Sequence, residues 1–383
     1  MSSHISNNIV VMAAAGAGKT WDICHRALEV ANQSSKPALI VTYTNRSANS
    51  AKTELMKQNR GFPHSRVLVK TWYSFLLSDL IKPYQYTVTD GKINHVQSLD
   101  FSDMYGAINY HLAGTYSRYI TSAKCVRANQ ASELAVLINL RSGGKSIQRL
   151  EKIYSSICID EVQDMTGYDL DLLKLLMQSK IGITCSGDNK QATFKTHNTR
   201  KNKGKSGKNI WDYFKSLEKE GLVHIEQNLV SRRFNTDICY FANLVFPTGE
   251  TMTSNMNVVT GHDGVFLISQ TDVEEYINIY SPQLLRFDAK THVDLPCLNF
   301  GACKGETFER VLIYPNKPLK DFIVKGKSLE SPAKYYVGVT RPRYSLAIVL
   351  DKFPKTIEGF EEAKLFLGQR EITVMKYNGF SAV

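Results

Sequence analysis

The chain has 383 residues, enough for two or three domains and a sizeable core, and its hydrophobic (43%) and charged (22%) fractions are those of an ordinary globular protein. Lysine and arginine outnumber aspartate and glutamate by 47 to 36; the net charge of +11 favours an anionic partner, nucleic acid first among them. No apolar run approaches the roughly 18 residues that a membrane span needs, the N-terminus shows no leader pattern, and seven dispersed Cys without metal-ligand spacing argue against disulfides or a zinc site and for a reducing, cytoplasmic setting.

In chain order, Ile9 to Met12 is short, apolar and β-branched-rich, as a buried strand wants. Ala13 to Gly18 are all small, so backbone N–H groups can curl round a phosphate chain; this is the pattern G-x-x-x-x-G-K-[ST] with Ala13 in the place of the first glycine. Ala15, Gly16, Ala17 and Gly18 are the expected phosphate cradle, Lys19 a point charge for the β- and γ-phosphates, and Thr20 a hydroxyl for Mg²⁺. The helix over Trp21 to Ala31 adds its positive dipole end. A second strand over 37–45, a helix over 46–58, a third strand over 67–71 and a helix over 72–81 alternate as in a parallel sheet with crossover helices.

Residues 82–150 break that rhythm. They are Tyr-rich and polar, with helical stretches near 101–113 and 131–140, and read as an inserted, mostly helical subdomain. The sheet resumes with a strand over 156–160, a helix over 168–179 and a strand over 181–186. Residues 195–208 carry five Lys and one Arg among Gly, Ser, Asn and Thr, with no acid and no aliphatic residue: a basic loop suited to phosphates. A second α/β unit follows: helices over 210–220, 235–245 and 331–337, strands over 222–226, 264–268, 295–300, 309–314 and 345–350, then a helix over 358–368 and a last short strand.

Ile157-Cys-Ile-Asp-Glu-Val-Gln-Asp164 is a buried strand ending in Asp-Glu. Downstream of a phosphate loop, the carboxylate at such a strand end holds Mg²⁺ and its neighbour can deprotonate the attacking water. Asp160 is therefore the expected metal-side residue and Glu161 the expected base.

Taken with the phosphate loop, Asp160-Glu-Val-Gln-Asp164 resembles the UvrD/Rep-like branch of superfamily 1 DNA helicases. Further stretches are similar to that family's motifs in the same order: Thr42-Tyr-Thr-Asn-Arg-Ser-Ala48, Lys70-Thr-Trp-Tyr-Ser-Phe75, Ser186-Gly-Asp-Asn-Lys-Gln191, Leu298 to Phe308, and Tyr336-Val-Gly-Val-Thr-Arg-Pro-Arg343. The resemblance implies an α/β protein of two RecA-like P-loop domains, the first from 1–81 and 151–222, the second from 223–383, with 82–150 inserted in the first. It implies ATP and Mg²⁺ as cofactors, bound in the cleft between the domains, and single-stranded DNA or a tailed duplex as partner, with a nuclease or other protein subunit as a further one.

By motif, Gln191 senses the γ-phosphate, and Arg341 and Arg233 are the arginines that reach it. Arg232 stands where an adenine-stacking Tyr is usual, and Gly305 and Glu306 fall beside the nucleotide. Thr42, Tyr43, Asn45, Thr71, Trp72, Tyr73, Phe194, Lys195, Lys201, Lys203 and Lys205 are the implied nucleic-acid contacts, the aromatic ones stacking on bases and the basic ones tracking phosphates. Translocation would run 3′ to 5′. Two departures stand out. No Gln occurs just upstream of the phosphate loop, where the family reads adenine. Only about 70 residues separate Arg233 from Lys304, too few for the family's large accessory subdomain. The rival expectation is thus a nucleic-acid-stimulated ATPase that senses or assists without robust unwinding.

Overall fold

The structure, a computed structural model, describes residues 7–89, 96–102, 111–191 and 201–379. Phe194 and Lys195, and part of the expected helix near 101–113, lie outside them. Contacts group Met1–Ala13 with Lys19–Gln227 as one compact unit, and Ala14–Gly18 with Asn228–Val383 as a second.

The first unit is built on strands β1 (Ile9–Ala13), β2 (Ala38–Thr42), β3 (Val67–Thr71), β6 (Ser156–Ile159), β7 (Gly182–Gly187) and β8 (His224–Asn228), in the spatial order β3-β2-β6-β7-β1-β8. The pairs β3/β2, β2/β6, β6/β7 and β7/β1 are parallel. All five residues of β2 are buried, which is why that segment reads as one unbroken apolar run: helices cover both faces of a parallel sheet. Alternate side chains feed different cores. Leu39, Val41, Ile157 and Ile159 join one apolar cluster, while Ala38, Ile40 and Cys158 join another against α1 (Lys19–Gln33) and α2 (Asn45–Gln58). Because the strands run in parallel, Ala13, Thr42, Thr71, Asp160 and Gly187 all come to the carboxyl edge of the sheet, where ligands of such sheets gather.

Between α3 (Trp72–Phe75) and β6 the chain forms α4 (Tyr86–Thr89), β4 (Leu99–Asp100), α5 (Tyr116–Tyr119), β5 (Val126–Arg127), α6 (Ala131–Arg141) and α7 (Lys145–Ile153). This insertion is mostly helical, with one short parallel ladder joining β4 to β5. Leu134, Ala135, Ile138, Ile147 and Leu150 of the insertion pack into the same cluster as Trp72 and Leu39. α8 (Tyr168–Met177) and α9 (Ile210–Lys219) cover that face as well, through Leu173, Leu176, Phe214 and Leu217.

The second unit holds β9 (Val230–Ser231) paired with β10 (Thr253–Ser254), α10 (Thr236–Val245), and a seven-stranded sheet. The sheet comprises β11 (Gly264–Ser269), β12 (Gln283–Arg286), β13 (Leu298–Asn299), β14 (Phe308–Tyr314), β15 (Pro342–Leu350), β16 (Phe360–Leu367) and β17 (Arg370–Tyr377), in the order β13-β12-β14-β15-β11-β17-β16. The first five of that order run parallel; β17 and β16 are antiparallel additions. α11 (Val273–Tyr280), α12 (Lys317–Lys325) and α13 (Pro332–Val339) connect them. Both units are thus α/β layers of the RecA-like kind.

The expected helix over 358–368 is instead β16. Its Glu, Ala, Lys and Leu content favours a helix, but Gly368 and Gln369 form a two-residue turn, with Gly368 at φ +61, that pairs Leu367 with Arg370 and locks a hairpin.

Asp169 ties the insertion to the sheet's helices. It is 1% exposed and accepts from Trp72 Nε1 (3.0 Å), from the Ser132 hydroxyl and from the Thr166 amide (3.3 Å). Replacing Asp169 with Ala strands three buried donors, each costing about 1–3 kcal/mol. Asp169→Ala should therefore lower the unfolding free energy of the first unit by about 3 kcal/mol or more in a denaturant titration, and Asp169→Asn by less; a loss under about 0.5 kcal/mol for the alanine variant would contradict this role.

Candidate nucleotide site and nucleic-acid face

The phosphate-loop residues leave β1 and enter α1 through two left-handed glycines, Gly16 (φ +75) and Gly18 (φ +85), a backbone form that turns amide N–H groups inward. α1 begins at Lys19, so Lys19 and Thr20 project from a helix N-terminus, with Asp22 in its first turn. Within the first unit, Thr20 Oγ1 donates to Asp160 Oδ2 at 3.5 Å, at the end of β6. Glu161 follows with φ +58, its amide donating to Asp160 Oδ1 at 2.9 Å, and its carboxylate accepts from Gln163 Nε2. Asp160 therefore meets the Thr20 hydroxyl, while Glu161, itself left-handed, meets the Gln163 side chain.

The turn after β7 completes the group. Gln163 Oε1 accepts from the Asp188 amide at 3.1 Å, and the Gln191 amide donates to the Asp188 carbonyl at 3.0 Å. A Cβ on Gly187 would lie 2.5 Å from Gln163 Oε1, so only glycine permits this approach. Asp188 is 2% exposed, its Oδ2 is 4.0 Å from Lys19 Nζ, and that oxygen has no hydrogen-bond partner. Burial pushes the Asp188 carboxyl above the usual carboxylate range, and the Lys19 ammonium opposes the shift.

These donors suit a magnesium ion. They are hard oxygens, and among the described residues no group of three His, Cys, Asp or Glu could hold a metal unaided. Mg²⁺ is bound in just this way, through one or two carboxylates with substrate phosphates supplying the rest.

In the second unit, Arg341 is 1% exposed and fully engaged with its surroundings: Nε donates to the Val337 carbonyl (2.7 Å), Nη1 to the Glu306 carbonyl (3.0 Å) and Nη2 to Thr340 Oγ1 (3.2 Å). Arg233 Nη1 donates to the Thr340 carbonyl at 3.1 Å, so the two arginines converge on Thr340. Gly305, at φ +86, precedes Glu306 in the turn before β14. The loop Ala14–Gly18 belongs to this unit by contacts. The Ala15 amide donates to Tyr336 Oη (3.3 Å), the Arg232 amide to the Gly16 carbonyl (2.9 Å), and Asn228 Nδ2 to the Ala17 carbonyl (3.1 Å). The Arg232 side chain itself is exposed.

The nucleic-acid candidates divide. Trp72 is 1% exposed, with its indole N–H on Asp169, so it offers no ring face to a base. Thr42 is buried and donates to the Thr44 carbonyl (3.3 Å); Thr71 caps α3 by accepting from the Ser74 amide (3.2 Å). Asn45 is exposed at the start of α2. Tyr43 and Tyr73 meet at their hydroxyls (2.9 Å), and the Tyr73 ring packs edge-on against Phe101, centroids 5.2 Å apart. Lys201 lies 3.7 Å from the Asp171 carboxylate and over the Tyr168 ring, Lys205 sits over the Tyr213 ring, and Lys203 is exposed. Asp188, Gln163, Tyr336 and Phe101 were not singled out from the sequence. Asp188 lies within the quoted Ser186–Gln191 motif and could have been; Phe101 carries no motif.

A family model described as an AAA domain matches residues 2–196. The chain belongs to this AAA domain family. Among curated proteins, none matches it by sequence. Two solved structures are similar to this AAA domain protein. One is the arterivirus nonstructural protein 10 (helicase), 14% identical, covering 90% of this chain and 61% of that one at a TM-score of 0.48. The other is the complex of arterivirus nonstructural protein 10 (helicase) with DNA, 15% identical, covering 92% and 62% at a TM-score of 0.49. This chain spans about three fifths of the length of each. Among the described residues, no helix is long and apolar enough to cross a membrane.

Proposed function

We propose that this AAA domain protein is a superfamily 1 helicase-type ATPase, of UvrD/Rep-like kind, that hydrolyses ATP and moves on single-stranded DNA. The observation that carries the reading is the convergence of Lys19, Thr20, Asp160, Glu161 and Asp188 at one sheet edge, with Lys19 Nζ 4.0 Å from Asp188 and Thr20 Oγ1 3.5 Å from Asp160.

In this reading the loop amides and Lys19 hold the triphosphate. Thr20 and Asp160 would hold Mg²⁺, which supplies neutralisation of phosphate charge when bound. Lys19, now facing Asp188, turns to the β- and γ-phosphates when ATP enters. Glu161 accepts the proton of the attacking water, and Gln191, anchored to the Asp188 carbonyl, orients near the γ-phosphate. Arg341 and Arg233 are the proposed stabilisers of transition-state charge. Arg232, Gly305 and Glu306 are proposed to flank the nucleotide. Tyr43, Tyr73, Asn45 and the lysines at 201, 203 and 205 are proposed to contact the strand, in the 3′ to 5′ sense of the resemblance.

A second reading, an ATPase stimulated by nucleic acid without robust unwinding, rests on the second unit. Residues 234–303 form α10, β10, β11, α11, β12 and β13, elements of the unit itself, and leave no separate accessory subdomain among the described residues. Strand displacement on a 3′-tailed duplex separates the two. Displacement that keeps pace with hydrolysis supports the helicase, and brisk hydrolysis with none supports the second reading.

Glu161→Gln tests the chemistry. It should leave ATP binding within about twofold of wild type while lowering kcat by about 10²–10⁴-fold, the usual contribution of a general base. Retained turnover in a phosphate-release assay would remove Glu161 from that role.

A further inference from the structure

The inserted subdomain brings one aromatic ring to the carboxyl edge of the first sheet. Tyr43 directly follows β2, and Tyr73 lies just past the end of β3; their centroids are 5.8 Å apart at 63°. Phe101, directly after β4, continues the series from Tyr73 at 5.2 Å and 81°. The three rings run in series from the sheet edge: Tyr43 is partly buried, Tyr73 is 9% exposed, and Phe101, at the end, is the most open at 51%.

A lone half-exposed phenylalanine is ordinary on a protein surface. This one packs on Tyr73, and the backbone around it is hydrogen-bonded. The Gln97 amide donates to the Lys124 carbonyl (3.0 Å), the Val126 amide to the Ser98 carbonyl (2.9 Å), and the Ser102 amide to Asp100 Oδ1 (3.0 Å). A fixed, half-open ring at the end of an edge-on aromatic series is a stacking surface, and stacking is how bases are held without reading their sequence. Arg46, three residues past Tyr43, is exposed in the first turn of α2, a turn that holds no acid. Asp100, next to Phe101 in the chain, stands opposite Arg127 in the β4–β5 register.

We propose that Phe101 is a nucleobase-stacking residue: the insertion extends the Tyr43–Tyr73 pair into a surface on which an unpaired base of a single-stranded nucleic acid lies. This rests on the nucleic-acid reading above and adds to it a residue and a subdomain that no motif marks.

The test compares two fluorescein-labelled oligothymidylates of equal length by anisotropy, one intact and one with abasic sites through its central positions. Wild type should bind the intact strand more tightly. Phe101→Leu, which keeps the apolar bulk but not the π face, should lose on the order of tenfold in affinity for the intact strand and little for the abasic one, so the preference collapses. Phe101→Trp should keep the preference, and thermal melts should show both variants folded. Phe101→Leu binding both strands as wild type does would overturn the proposal and leave the parent reading standing. Wild type that binds neither strand would overturn both.

Discussion

Gln163 has a donor end and an acceptor end, and the first unit uses both. Its amide nitrogen donates to Glu161 and its oxygen accepts from the Asp188 backbone, so one fully buried side chain ties the turn after β6 to the turn after β7. The β6/β7 pairing brings those turns side by side, and Gly187 keeps the gap open, since a Cβ there would collide with Gln163 Oε1. The link joins the Glu161 carboxylate to the backbone of Asp188, whose carbonyl accepts from the Gln191 amide and whose carboxylate faces Lys19. A buried amide with both ends satisfied is rigid, because breaking either bond would leave a buried polar group unpaired.

The electrostatics of the edge follow. Lys19 and Asp188 face each other at 4.0 Å, a distance at which an ammonium and a carboxylate attract without a direct hydrogen bond. Asp188 is left with one oxygen unsatisfied and its carboxyl pushed up by burial. Lys19 offsets part of that cost, since its ammonium favours the charged carboxylate. Arg341 in the second unit is the opposite case. Its three nitrogens donate to the Val337 and Glu306 carbonyls and to the Thr340 hydroxyl, which holds the guanidinium in place.

Much of this was legible because parallel sheets write themselves plainly. The runs at 9–12, 38–41 and 157–159 are continuously apolar since both faces are covered, and each ends where a motif begins. Tertiary information was harder. In the sequence Trp72 fits a base contact or core packing about equally, and only the fold shows its indole committed to Asp169, almost a hundred residues away. The segment 358–368 has a helix former's composition, and a two-residue turn after it decides for a strand. Phe101 had no signal at all, since its importance comes from a ring neighbour on another element. Asp188 was readable in part: its motif was in view, but its orphaned oxygen depends on burial.

If the proposed function holds, the purified chain is an ATPase that answers to single-stranded nucleic acid. Steady-state ATP hydrolysis, measured with Mg²⁺ alone and again with single-stranded DNA or RNA, is the decisive assay. Hydrolysis should be slow without nucleic acid and rise at least about tenfold with single strands, the stimulation weakening as salt screens the phosphate contacts. Hydrolysis that is absent throughout, or indifferent to both nucleic acids, would contradict it.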